Sequence, residues 1–317
     1  MKLPNLPNLL GIELSPHGQR VLKVVMFFLK IAISVYILWR IAGSVSFGSA
    51  FATIFHLPPL LFLALALISV LRHLGQFCNW LCSLRVNPEF HESKAQVFKS
   101  YLLGLPLRFA IPGGHANMAK IFYVRNTSRM ASLYSTLLER SFLTWANWTF
   151  ASGAAVLFYL EIPPYWFILA FALLIFYPEA ILLTLGSREN WRHLKPSFSH
   201  QAAWMILLQV GGTLLTYTQY WLLLKRYVPL SFMDSSIRMA LTQFSNSIPI
   251  TIAGLGLRES FAIHFLKDTG ITAQQAVSAT LGLFLIHDVV PALIGLPFLI
   301  RGKRRATGSE ENTTTEA

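Results

Sequence analysis

Runs of about twenty apolar residues recur from one end of this 317-residue chain to the other. About twenty apolar residues is the length a helix needs to cross a hydrocarbon core ~30 Å thick. Six runs have that length, at about 24–41, 57–80, 132–159, 165–185, 201–224 and 273–299. A soluble fold has no interior large enough to hide them all. Composition agrees, with 54% apolar residues and 13% charged, about half the ~25% charged share of a soluble domain. The expectation is an all-α integral membrane protein with a single transmembrane domain over 24–300. Residues 1–23 precede it, and Pro4, Asn5, Pro7 and Asn8 interrupt any apolar core of a signal peptide there. Residues 301–317 turn from basic to polar and acidic and read as a disordered tail.

Two further apolar segments, about 97–112 and 236–256, end in Pro/Gly clusters. The first cluster is Ile111-Pro112-Gly113-Gly114, and the second is Pro249 followed by Ala253-Gly254-Leu255-Gly256. Irregular backbone at membrane depth survives only inside protein or beside a wet cavity. Both segments therefore read as re-entrant hairpins, giving six full spans plus two hairpins. Charge supports this order. Lys2, Arg20, Lys23, Arg85, Lys94, Lys99, Lys120, Arg125, Arg129, Arg188, Arg192, Lys195, Arg301, Lys303, Arg304 and Arg305 fall on one side of that map, against Lys225, Arg226, Arg238, Arg258 and Lys267 on the other, where the loops 42–56 and 160–164 hold no Lys or Arg. Basic residues favour the cytoplasmic side, so both termini are expected there, in the inner cell membrane. A full span at 97–112 would carry Lys120, Arg125 and Arg129 across. Eight full spans also return the C-terminus to the cytoplasm and stand as the alternative. On the six-span map, 57–159 and 201–299 each read span, hairpin, span, one inverted relative to the other, an arrangement found in transporters.

Ionisable residues inside such segments are costly and call for a reason. They are Arg72, Arg108, Glu139, Arg140, Arg258, Glu259, His287 and Asp288. One reading pairs them structurally, Glu139 with Arg72 or Arg108 and Asp288 with Arg258. The other starts from the imbalance in the first half, where three arginines face one glutamate. A cationic pocket in a membrane invites an anion, and the planar fork of arginine suits phosphate. Helices that begin after Pro112-Gly113-Gly114 and after Gly254-Leu255-Gly256 would add their N-terminal N–H groups to two such anion sites. His287 and Asp288 are the mid-span candidates for a proton relay. Cys78 and Cys82, four residues apart, and the scattered histidines have no metal-site spacing, so no metal and no cofactor are expected. The net charge of +12 belongs to membrane sidedness rather than to a nucleic-acid partner.

The stretch Ser247-Ile248-Pro249-Ile250-Thr251-Ile252-Ala253-Gly254-Leu255-Gly256-Leu257-Arg258-Glu259 resembles the Pro-x-x-x-x-Gly-Leu-Gly-x-Arg-Glu signature of the lysylphosphatidylglycerol synthase transmembrane region family, the flippase-like domain. Leu137-Leu138-Glu139-Arg140 is similar to that family's Leu-Glu-Arg element. Pro112-Gly113-Gly114 with Ala119-Lys120 resembles its first Pro-Gly motif and the basic residue after it, with Asn117 where that motif carries an acid. The resemblance implies a two-repeat membrane fold with re-entrant helices and movement of lipid between leaflets. Synthase activity is not implied, because the stretch after Arg301 is short for a second domain. The implied partners are a membrane phospholipid or a polyprenyl-linked lipid. Two alternatives compete. One is a non-catalytic partner of a lipid- or glycan-modifying enzyme, which leaves the intramembrane arginines without a purpose. The other is a polyprenyl-lipid-dependent transferase, which usually needs exposed carboxylates that the loop 42–56 lacks.

Overall fold

The computed structural model describes residues 56–110, 120–159, 165–187, 189–248 and 256–298, with scattered positions between 25 and 52. Most of the first expected span, 24–41, lies outside the described residues; Val25, Phe28, Ala32, Val35, Tyr36 and Trp39 are helical. Among the described residues the regular elements are helices, with no strand.

Helix α1 (Pro59–Arg85) opens with proline in its first turn, where a missing N–H costs nothing. Its 27 residues reach about 40 Å at 1.5 Å per residue. Leu60, Leu63, Leu67, Val70, Leu71 and Leu74 are exposed, while Ser69, Asn79 and Ser83 are buried beside Leu65, Trp80, Leu81 and Leu84. An apolar outer face, with polar side chains kept to the inside, is the distribution that lipid, rather than water, selects. Helix α2 (Lys94–Ala110) follows, with Pro106 inside it. Helix α3 (Arg129–Phe158) is capped by Ser128, whose hydroxyl accepts from the Ala131 N–H.

The expected single span 165–185 is instead two helices, α4 (Tyr165–Ile175) and α5 (Tyr177–Ser187), bent by 46°. Pro178 is the cause. It offers no N–H to the Leu174 carbonyl four residues back, and its ring crowds that carbonyl. The opened carbonyl of Leu174 accepts from Trp145 Nε1 at 2.5 Å.

Helix α6 (Lys195–Leu224) is 30 residues long and packs along α1. Two short helices come next, α7 (Phe232–Phe244) and α8 (Leu257–Leu266). At 13 and 10 residues they are about 20 and 15 Å long, each short of the hydrocarbon thickness. They pack on each other. Arg238, at the middle of α7, donates to the Phe265 carbonyl of α8 and to Asp268 in the turn that follows it. The last helix, α9, spans Ala273–Phe298 and contains a π-helical turn at Leu285–Val289.

By length and apolar composition α1 and α9 are candidate spans, with the bent α4–α5 pair a third. Helices α3 and α6 have the length, but their inner faces carry Ser132, Ser135, Thr136, Gln209, Thr216 and Gln219 in buried positions. The main core joins Leu65 of α1, Tyr217, Tyr220 and Leu224 of α6, Met239 of α7, Ala262 and Leu266 of α8 and Ala279 and Leu283 of α9.

Candidate functional site

The first ionic cluster is assembled from three separate stretches. Lys120 begins a short 3-10 turn and is 1% exposed. Its ammonium meets the Glu139 carboxylate of α3 in an ion pair and stands 3.8 Å from the centre of the Trp80 ring of α1. The Trp80 Nε1 donates to Ser100 Oγ of α2 at 3.1 Å, and Ser100 in turn donates to Val97 O. The ring is thereby fixed as a floor for the cation. Arg140, the neighbour of Glu139, is close enough to act on the Lys120 charge. Two cations and one carboxylate therefore gather where α1, α2 and α3 meet.

Sequence reasoning placed Lys120 on the cytoplasmic side and missed it as a site residue. The available signal was its place as the basic residue after the Pro-Gly break. Glu139 was expected to meet Arg72 or Arg108, and the ion pair it makes is with Lys120. Arg72 is half-buried on α1. Arg108 belongs to the last turn of α2, with its side chain outside the described residues, as are Pro112, Gly113, Gly114 and Gly254.

The second cluster opens α8. Gly256 has φ +82°, a backbone state that side chains disfavour. Its N–H donates to Glu259 Oε2 at 2.7 Å. The other carboxylate oxygen accepts from Arg258 Nη2 at 2.9 Å and Nε at 3.2 Å. Arg258 also lies over the Phe284 ring, 5.2 Å from its centre. Arg258 is thus neutralised by its own neighbour and not by Asp288. Glu259 reaches back as the acidic half of a capping box, so this helix start already holds an internal anion, a different arrangement from the open anion site expected there.

The third cluster surrounds the π-turn of α9. Ser69 Oγ donates to the Ile286 carbonyl at 3.2 Å, and one helical turn further along α1, His73 Nε2 donates to the His287 carbonyl at 3.1 Å. Pro291 makes both acceptors available. It has no N–H to give to His287, four residues back, or to Ile286, five back, and its ring strains the turn that the π-helix widens. The His287 ring is buried and hydrogen-bonds through Nε2 to Gln219 Oε1 of α6, while Gln219 Nε2 donates to Leu65 O at 2.7 Å. On its other side His73 Nδ1 lies 2.7 Å from the Tyr101 hydroxyl, which donates to Gln76 Oε1 at 3.1 Å. His287 and Asp288 fall where the sequence put them, at mid-helix. His73, Tyr101 and Gln219 were missed, and Pro291 was the visible sign.

Arg238, expected in an outer segment, is buried, held by Asp234 Oδ1 at 3.1 Å and Asp268 Oδ1 at 2.8 Å. The Arg238 guanidinium holds the Asp268 carboxyl below its ordinary range. Among the described residues no group of three or more His, Cys, Asp or Glu gathers as a metal site would.

An apolar exterior, buried ion pairs at fixed points and two short helices packed on each other define a polytopic helical membrane protein with a charged interior. The family model for the Lysylphosphatidylglycerol synthase TM region matches residues 27–295, and the chain belongs to that family. A comparison with curated proteins gives no match.

Proposed function

We propose that this protein binds the phosphate-bearing head group of a membrane lipid between α1, α2 and α3 and moves that lipid between leaflets. The observation that carries the reading is the Lys120–Glu139 pair on the face of Trp80, with Arg140 close enough to act on the Lys120 charge. Lys120 and Glu139 are largely withdrawn from solvent, where charges act strongly on one another. Lys120 meets Glu139 and the indole, and Arg140 brings to the same place the planar donor set that a phosphate oxygen pair matches. A phospholipid and a polyprenyl phosphate share that group, and either is a substrate of this chemistry.

The α7–α8 pair supports the transport half of the reading. Two successive short helices in contact, each short of the bilayer core, fit a re-entrant hairpin, and α2 with the Pro-Gly break beyond it is read as its counterpart in the other half. The two halves then stand inverted, in the inner cell membrane, with both termini cytoplasmic and the protein acting as a carrier rather than as an enzyme.

The test is leaflet exchange in liposomes containing the purified chain, with labelled phosphatidylglycerol, aminoacyl-phosphatidylglycerol and a polyprenyl phosphate. Arg140→Gln is expected to slow exchange of the preferred lipid at least ~10-fold, the cost of one charge-assisted contact. Equal rates in the folded variant and the wild type would remove Arg140 from the site. Absence of exchange for every lipid would overturn transport.

A further inference from the structure

The His73 Nε2 faces a main-chain carbonyl, which only accepts, so Nε2 carries a hydrogen. The Tyr101 hydroxyl has one proton to give, and His73 Nδ1 at 2.7 Å and Gln76 Oε1 at 3.1 Å both stand within its reach. When that proton goes to Gln76, the short contact with His73 needs a second hydrogen on Nδ1, and the ring is an imidazolium. When it goes to Nδ1, the ring is neutral and the Gln76 amide turns its NH2 toward the tyrosine oxygen. Both arrangements satisfy all three groups without moving a helix.

We infer that His73 is a proton-binding site of the bundle and that proton binding is linked to head-group binding, an inference that rests on the lipid reading above. The proton comes from water, adds to Nδ1, and turns the Tyr101 hydroxyl from His73 to Gln76. The link to the head group runs along α1. Trp80 lies seven residues after His73, two turns and about 10 Å away on the same face. Successive residues of α2 hold the two rings, Ser100 the indole and Tyr101 the imidazole. At a separation of about 10 Å and an effective dielectric near 20, a phosphate beside Lys120 and Arg140 would attract an imidazolium by on the order of tenfold in proton affinity. By reciprocity the proton strengthens phosphate binding by the same factor.

The ionisable groups on the elements that pack against α1 carry both signs. Helix α1 contributes Arg72, and α2 contributes Tyr101, with Lys94, Lys99 and Arg108 along the same helix. The π-turn contributes His287 and Asp288, and α3 contributes Glu139 and Arg140. Helix α6 brings Gln219 and has no charged residue between His200 and Lys225. His287, buried with Nε2 on Gln219, is the fixed member of the pair, and His73 is the one whose neighbours can rearrange.

The first experiment is histidine 15N NMR of the full chain in a phosphate-free maltoside detergent, with His73 assigned from the His73→Gln spectrum. Between about pH 5 and pH 8, the range histidines sample, His73 should pass from a ring protonated at Nε2 alone to one protonated at both nitrogens. Adding phosphatidylglycerol should move the midpoint upward by about one pH unit, the tenfold linkage. A His73 signal that keeps one form across the range overturns the proton site. A midpoint that ignores the lipid overturns the linkage.

The second experiment is leaflet exchange against pH. Wild-type exchange of the preferred lipid should change about tenfold across the same range. His73→Gln, which keeps a donor for the His287 carbonyl but takes no proton, should give a flat profile, and Tyr101→Phe should move the midpoint. A His73→Gln profile that matches wild type overturns the coupling. If the wild type moves no lipid at any pH, the lipid reading fails, and the NMR titration alone still decides whether His73 binds a proton.

Discussion

His73 donates from Nε2 to the main-chain carbonyl of His287 at 3.1 Å, four residues before Pro291. The same relation occurs twice more. Pro178 opens the Leu174 carbonyl, which accepts from Trp145 at 2.5 Å. Pro106 opens the Leu102 carbonyl, and Gly295 of α9 lies against it so closely that an added Cβ would overlap that oxygen. At these three prolines the freed carbonyl lies against a different helix, and two of the three accept a hydrogen bond from it. In a membrane, where water is not there to satisfy a freed carbonyl, this converts a local defect into a contact between helices. Prolines fix which helices meet: α1 with α9, α3 with α4, and α2 with α9.

Gly295→Ala should therefore separate α2 from α9. The new methyl would overlap backbone at the Leu102 oxygen and would stand 2.8 Å from the Pro106 ring, and neither yields as a flexible side chain would. Overpacking of this kind costs about 1–3 kcal/mol. Thermal unfolding in detergent should show a clear loss for Gly295→Ala. Gly211→Ala is the control, because a Cβ there meets nothing within 4 Å, and its Tm should match wild type. Equal Tm values for Gly295→Ala and the control would show that the two helices are not in backbone contact.

The Lys120–Glu139 pair makes a prediction with a built-in cross-check. Lys120→Met leaves the Glu139 carboxylate buried without its partner, and breaking such a pair costs about 3–5 kcal/mol. Adding Glu139→Gln removes the stranded charge, so the double variant should be more stable than Lys120→Met alone. The interaction energy of the cycle should exceed about 1 kcal/mol, as residues in direct contact do. Strict additivity would mean that the two groups do not meet in the folded protein.

The long elements were legible because a 3.6-residue helix filled with apolar side chains announces its own length. The runs at 57–80, 132–159, 201–224 and 273–299 became Pro59–Arg85, Arg129–Phe158, Lys195–Leu224 and Ala273–Phe298. The bend at 165–185 was less visible, since its apolar run is continuous and Pro178 alone marks it. Charge partners were not legible. Glu139 meets Lys120 from across a connecting segment, which hydropathy cannot foresee. Arg258 meets Glu259, its immediate neighbour, although adjacent helix positions do not ordinarily face each other. That pairing exists because Glu259 folds back toward the Gly256 N–H at the helix start. His73 was hidden for another reason, as its partner is a carbonyl and carbonyls leave no mark in a sequence.

The Arg238–Asp268 bond gives a pH-dependent prediction. The guanidinium, donating to the carboxylate at 2.8 Å, holds the Asp268 carboxyl below its ordinary value. A carboxyl whose folded value is depressed contributes stability above its unfolded value of about 3.9 and loses it as pH falls through the folded value. Asp268→Asn should therefore be less stable than wild type at pH 7. The gap should be at most about 1 kcal/mol, because the Asp268 side chain is half exposed. It should close as pH drops below about 4. Unfolding midpoints at pH 7 and pH 3 test this, and a gap of constant size at both would assign the effect to something other than the charge.

Glu259 joins two roles in one fully buried side chain, and two substitutions separate them. Its Oε2 accepts the Gly256 N–H at 2.7 Å and its Oε1 accepts from Arg258, with the residue 0% exposed. Glu259→Gln keeps the shape and an acceptor for one of these donors but abandons the charge of Arg258. The expected loss is about 3–5 kcal/mol, because Arg258 is then a cation in the core without a counter-ion. Gly256→Ala leaves the charges alone and acts on the backbone. A residue with a Cβ held at φ +82° costs about 1–3 kcal/mol. The start of α8 is the point that both changes loosen, so amide exchange in Leu257–Leu266 should rise in both, more in Glu259→Gln. If Gly256→Ala proved the more damaging, the turn before α8 rather than the ion pair would be what holds the helix start in place.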